Sequence, residues 1–192
     1  EIMSSDWSSD VCSSDLHSSG NYVFNDHKLV LGGNVNNTSG SYTSNSNSTL
    51  VINGTGTLDP ISFNSGSALD TLTIARAGSN LSTNSSFSID VLNLTDGTFN
   101  NTGTITIADG GSIYRSESGV LNNAVNAATS YDIYYTNSTD ITTGVELPSG
   151  SSSLDSLIFD GSGVVTLNKA TTVNGAIIVD NGTFNASSFN VQ

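Results

Sequence analysis

Along most of this chain, apolar side chains fall at every second position of short runs whose alternate positions are Thr, Ser, Asn or Asp. In residues 69–74, Leu72 and Ile74 point one way from an extended backbone and Thr71 and Thr73 the other. In residues 103–108, Ile105 and Ile107 oppose Thr104 and Thr106 in the same way. A period of two rich in β-branched residues predicts strands with one apolar face. The pattern predicts them at 28–31, 49–52, 61–63, 69–74, 87–94, 103–108, 131–135, 154–159, 164–167, 172–179 and 189–191. Helical periodicity is nearly absent. Residues 120–128 come closest, but the run is short and rich in Asn and reads as loop or irregular strand. Gly32-Gly33, Asn53-Gly54, Asp96-Gly97, Asp109-Gly110-Gly111, Asp160-Gly161, Asn174-Gly175 and Asn181-Gly182 punctuate the strands with residues that tolerate tight corners.

The pattern also repeats at long range. Leu69-Asp70-Thr71-Leu72-Thr73-Ile74 returns as Leu154-Asp155-Ser156-Leu157-Ile158-Phe159, and Asp96-Gly97-Thr98-Phe99-Asn100 returns as Asn181-Gly182-Thr183-Phe184-Asn185, both at an offset of 85 residues. Self-similarity without a net gap predicts a stacked, quasi-one-dimensional architecture. A unit of that length holds about four coils of ~20 residues, and residues 21–192 make roughly eight. The fold class expected is all-β, a right-handed parallel β-solenoid (β-helix) fragment. The alternative is a string of tandem immunoglobulin-like β-sandwiches, since the repeat length is near the size of one. The missing Trp and Cys framework and the scarcity of large aromatics count against it. Phasing gives a partial module at 21–65, a complete one at 66–150 and a partial one at 151–192, so the chain is expected to begin and stop within a repeat.

Residues 1–20 read as an artefactual or disordered N-terminal segment. The sole Met, Trp and Cys (Met3, Trp7, Cys12) lie there, and Ser-Ser-Asp occurs three times within it. Back-translated, residues 11–16 resemble the end of a sequencing-library adapter, so residues 4–16 are set aside from the fold. Without residues 1–16 four of the 17 acids are lost and no base, which leaves a net charge of −9. Nucleic acid and anionic membrane need clustered Lys and Arg, so neither is an expected partner. No cysteine survives, which removes disulfides and thiolate metal sites. No apolar run approaches the ~18 residues of a transmembrane helix, and no membrane insertion is expected.

The run Leu-Asp-x-Leu-x-Ile/Phe, a Gly-containing turn, a strand and then Asn/Asp-Gly-Thr-Phe-Asn resembles the repeats of Bacteroidetes-type secreted surface proteins. So does Thr142-Thr143-Gly144-Val145-Glu146-Leu147-Pro148. These are adhesin-like β-helix proteins of the kind exported as type IX secretion cargo. The resemblance covers nearly all of residues 21–192 and implies a fold and an extracellular or cell-surface location. It carries no catalytic signature to these positions.

Candidate chemistry is sparse. Asp90, Asp96, Asp109, Asp155, Asp160 and Asp180 offer oxygens for Ca²⁺ if they converge, but neither an EF-hand nor a nonapeptide spacing is present, and turn-forming Asp is the simpler reading. Arg76 and Arg115 are the only arginines, and position 161, one repeat after Arg76, is a Gly. A β-helix polysaccharide lyase or glycosidase needs a base with a cationic partner, or two carboxylates at a fixed gap. Two isolated arginines read instead as solvated surface residues. His17 and His27, with no partner His, make no transition-metal site. The pairs Thr55/Thr57, Thr71/Thr73 and Thr104/Thr106 do not recur in every coil, as an ice-binding face needs. In Tyr131-Asp132-Ile133-Tyr134-Tyr135, Tyr134 lies on the face opposite Tyr131 and Tyr135, either for packing or for a glycan. No catalytic, cofactor-binding or metal-ligating residue is assigned, and no cofactor. The expected role is a structural or adhesive scaffold whose partners are neighbouring repeats and extracellular glycans or surfaces. The alternative is a carbohydrate-active β-helix enzyme or glycan-binding module.

Overall fold

A computed structural model describes residues 10–11, 15–17, 20–148 and 153–192. Among them there is no helix. The strands are, in order, β1 (Asp10–Val11), β2 (Asp15–His17), β3 (Gly20–Val23), β4 (Lys28–Leu31), β5 (Val35–Asn37), β6 (Gly40–Thr43), β7 (Thr49–Asn53) and β8 (Ala68–Thr83). They continue as β9 (Phe87–Asn101), β10 (Ile105–Leu121), β11 (Asn126–Ala127), β12 (Tyr131–Tyr135), β13 (Ile141–Thr142), β14 (Leu154–Phe159), β15 (Val164–Thr166), β16 (Ile177–Val179) and β17 (Thr183–Asn185).

The main ladder runs β1-β4-β7-β8-β9-β10-β12-β14-β16, and each of its pairings is parallel. Shorter parallel ladders, β13-β15-β17, β2-β5 and β3-β6, form the other faces of the coil. This is a parallel β-solenoid, and eight of its passes lie in residues 21–192, as the spacing predicts. The segment set aside on sequence grounds contributes β1 and β2, which pair on β4 and β5.

The interior is a set of vertical columns. One reads Leu29, Leu50, Leu72, Leu92, Ile113, Ile133, Leu157 and Ile177, aliphatic in every coil. Two positions on, the second reads Leu31, Ile52, Ile74, Leu94, Arg115, Tyr135, Phe159 and Val179. All but the last member of each column are buried, so Leu72, Ile74, Leu157 and Phe159 face inward while Thr71 and Thr73 face out. Aromatic rings add a third column, Tyr22, Tyr42, Phe63 and Phe87, with successive centroids 6.1, 6.1 and 4.4 Å apart. Removing these surfaces from water, at ~25 cal/mol per Å², is what opposes the chain entropy of winding.

The coil explains the long repeat. From Ile74 to Phe159 the chain takes four steps of 20, 21, 20 and 24 residues, which together make the 85-residue period. It also explains Leu-Asp-x-Leu. Leu69 and Leu72 are both interior although three apart, because the strand bends at Asp70-Thr71 from one face of the coil to the next. Gly97 and its counterpart Gly182 both adopt a left-handed backbone, with φ of 87° and 74°, which a side chain would strain.

Several boundaries differ from the sequence expectation. Asp96-Gly97 and Asp109-Gly110-Gly111 do not separate strands: β9 and β10 run through them, and hydrogen bonding continues around the corner. At the second of these β10 bulges, since Ile107 pairs with Ile89 but Ser112 with Val91. The strand expected at 61–63 is reduced to one bridge at Phe63, that at 189–191 to one at Val191, and of 172–179 only Ile177–Val179 is strand.

Candidate functional site

Where the second interior column reaches β10 and β12, its aliphatic run is broken. Arg115 takes the position held by Leu94 one coil earlier, and Tyr135 follows in the next. Strand alternation forces both inward, so the guanidinium must be compensated inside the coil. The partner is Glu146, supplied by the segment after β13. The coil from Tyr135 to Phe159 is the longest, at 24 residues, and the extra length folds Glu146 and Leu147 into the interior. Glu146 is 1% exposed and Arg115 9%.

Arg115 Nη1 donates to Glu146 Oε1 as the one ion pair among the described residues. The Tyr135 hydroxyl (2.8 Å) and the Gly144 N–H (2.7 Å) donate to the same oxygen. The Tyr131 hydroxyl donates to the Glu146 carbonyl at 2.8 Å, and Arg115 Nε donates to the Gly119 carbonyl at 3.1 Å. Burial raises both tyrosine hydroxyls above the ordinary phenol range, and the neighbouring Glu146 adds to the shift. Lys169 donates to the Leu147 carbonyl from the next coil; burial lowers its ammonium and Glu146 pulls the other way. The arrangement fixes a loop to three successive coils. Glu146 and Arg115 are both buried within it.

Arg76 is also interior, at 1% exposure. It donates from Nη1 to the Asn53 carbonyl at 3.4 Å and from Nη2 to the Gly33 carbonyl at 2.9 Å, so one side chain tethers its own coil to the two before it. No carboxylate pairs with it among the described residues, and burial lowers its affinity for the proton. The reading of both arginines as solvated surface residues is therefore corrected. Each lies at or beside a strand corner where the alternation carries it inward, and each finds carbonyl or carboxylate acceptors there. At Gly161, one period after Arg76, a Cβ would sit 2.1 Å from the Asn137 carbonyl oxygen, so no side chain fits and the arginine does not recur.

The outer surface is polar and laddered. Asn21 Oδ1 accepts from Ser41, Thr43 and Asn64 at 3.4, 3.0 and 2.8 Å, across three coils. Asp26 accepts from the side-chain amides of Asn45 and Asn47, which lowers its carboxyl below the usual range. Tyr114 and Tyr134 stack on the outside with centroids 4.4 Å apart and planes at 10°. Tyr134 is thus opposite Tyr131 and Tyr135, as the alternation predicts. In register the pair is bracketed by Asn93 and Ile158, so it presents ring edges and hydroxyls rather than a free flat face for a sugar ring.

The remaining sequence candidates are scattered. Among the described residues no three of His, Cys, Asp and Glu come together as metal ligands, so the six Asp do not converge. Asp90 lies near Asp70; burial first and Asp70 second raise its carboxyl. Asp109, Asp155, Asp160 and Asp180 are exposed, and Asp96 pairs within the ladder between Ala75 and Ser118. His27 is exposed beside β4, and the backbone of His17 lies in β2. Thr71, Thr73, Thr104 and Thr106 point outward, while Thr55 and Thr57 lie outside any strand.

Sequence reasoning missed Glu146 as an interior group. Two signals were present: it is one of three Glu in the chain, and it sits in the Thr-Thr-Gly-Val-Glu-Leu-Pro motif of the longest coil. No family model matches the chain, and neither a curated protein nor a solved structure matches it.

Proposed function

We propose that this chain is a non-catalytic scaffold segment of a secreted or cell-surface bacterial repeat protein, one that holds a distal module or a repetitive polar face away from its point of attachment. The observation that carries this reading is the use of the buried groups. The interior columns run through every coil, and both arginines are engaged in tethering coils to one another. An enzyme of this architecture needs cationic and carboxylate groups converging on an outer groove, whereas here Arg76, Arg115 and Glu146 face inward. Stacked coils in ladder register suit a load along the axis, since each coil is held by a row of backbone hydrogen bonds.

Two measurements test the proposal. Pulling a single molecule from its ends should release one coil at a time, each step lengthening the chain by about 70–80 Å, from ~3.5 Å per extended residue. Incubation with pectin-like and alginate-like acidic polysaccharides should leave their length distribution unchanged. Rupture of the whole chain in one low-force event, or turnover of such a polymer, overturns the reading.

A further inference from the structure

On the outer face of the main ladder, Tyr114 of β10 and Tyr134 of β12 hold paired backbone positions in parallel strands. Their rings stack with centroids 4.4 Å apart and planes at 10°, and both side chains are half-buried. Rings rooted at paired positions run side by side from Cβ to hydroxyl, so the ortho carbons of one lie beside those of the other. Burial first and the adjacent Tyr114 second hold the Tyr134 phenol above its usual range, as expected where two hydroxyls are neighbours. We infer that Tyr114 and Tyr134 form an oxidative cross-linking site, at which a haem peroxidase supplied with hydrogen peroxide joins the two rings carbon to carbon and staples one coil to the next.

The chemistry balances within the pair. Each phenol gives up one electron and its hydroxyl proton, and the two phenoxyl radicals join through a new bond between ortho carbons. The hydrogen on each joined carbon then moves to its oxygen and restores the phenol. The two electrons and two protons reduce one hydrogen peroxide to two waters. Holding the radicals in contact makes the coupling an internal step, at an effective concentration far above that of separate chains. Flanking Asn93 and Ile158 leave ring edges and hydroxyls toward solvent, where the oxidant acts. The other tyrosines lack this arrangement. Tyr22 and Tyr42 are 6.1 Å apart and inclined at 53°, and Tyr42 is buried. Tyr131 and Tyr135 are interior, and their hydroxyls donate to Glu146. The sulfur side chains and the Trp of the chain lie only at positions 3, 7 and 12, so along the rest tyrosine is the side chain most open to one-electron oxidation.

The test treats the full chain with a haem peroxidase and hydrogen peroxide at low protein concentration. The expected product is a single chain lighter by two hydrogen atoms, with dityrosine fluorescence, in which peptide mapping joins Tyr114 to Tyr134. Its yield per chain should not change on dilution. Tyr114→Phe keeps an aromatic ring in the stack and should lower that yield about tenfold or more. Tyr22→Phe should leave it within about twofold, and circular dichroism checks that each variant keeps its strands. A linkage between separate chains that rises with concentration, mapping to another tyrosine pair, or an undiminished yield in Tyr114→Phe overturns the proposal. So does a folded chain that forms no dityrosine under these conditions. Should Tyr114→Phe fail to fold, the mapped linkage and its independence of concentration in the unsubstituted chain still decide it.

Discussion

Glu146 Oε1 accepts from Arg115, Tyr135 and Gly144 at once, which makes it the most heavily used acceptor in the interior. Buried ion pairs of this kind add little net stability, but loss of one partner leaves the other charged and unsolvated. Glu146→Ala should therefore lower unfolding stability by about 3–5 kcal/mol in chemical denaturation. Replacing the group as a unit, with Arg115→Leu, Tyr135→Phe and Glu146→Leu, restores an apolar column and should recover most of that loss. If the triple variant is no better than Glu146→Ala, the cluster does more than compensate its own charge.

Tyr131 and Tyr135 titrate with a definite sign. Their hydroxyls are raised in the folded state, whereas in the unfolded chain they ionise near pH ~10. The folded form therefore keeps its full stability below that pH and loses it above, by about 1.4 kcal/mol per pH unit for each tyrosine that ionises only on unfolding. An alkaline titration followed by tyrosinate absorbance and circular dichroism together tests this. Tyr131 and Tyr135 should ionise together with loss of β-type circular dichroism. Ionisation of Tyr131 and Tyr135 without that loss would place these hydroxyls in contact with water.

At the scale of elements, β4, β12 and β14 match the ranges expected from the sequence residue for residue. The corners were legible only as punctuation. A solenoid corner needs a change of direction but not a break in hydrogen bonding, so Asp-Gly pairs that end a strand in a hairpin here lie inside β9 and β10. Arg115 was misread for the reverse reason. Its neighbours Ser112 and Tyr114 are outward and Ile113 inward, so alternation alone puts Arg115 in the core, but polarity argued for solvent and nothing local revealed Glu146, 31 residues later. Long-range compensation of a buried charge is not written in a local pattern.

Asp90 shows what a corner costs. It is half-buried next to Asp70, and its raised carboxyl means that the ionised form is the less favourable one in the folded state. That cost is present at neutral pH and disappears as the pH falls into the carboxylate range, near ~4. Asp90→Asn should raise the melting temperature at pH 7 and change it little at pH ~3.5. An unchanged or lower value at pH 7 would mean that the corner uses the charge.

For the whole molecule, each coil touches mainly its two neighbours, so stability is a property of position along the axis rather than of one closed core. The longest strands lie in the middle: β8, β9 and β10 run for 16, 15 and 17 residues around two faces of the coil. The last coil holds only three residues in each of β16 and β17, and its aliphatic members are covered on one side. Opening from the C-terminal end uncovers one coil at a time, while opening in the middle breaks two long ladders together. Native-state hydrogen exchange should therefore be graded: amides of Ile177–Val179 exchange fastest, those of Leu157 and Ile133 more slowly, and those of Leu92 and Leu94 only with global unfolding. Uniform protection along the axis at low concentration would instead mark a single cooperative unit, and the nearest-neighbour account of this solenoid would fail.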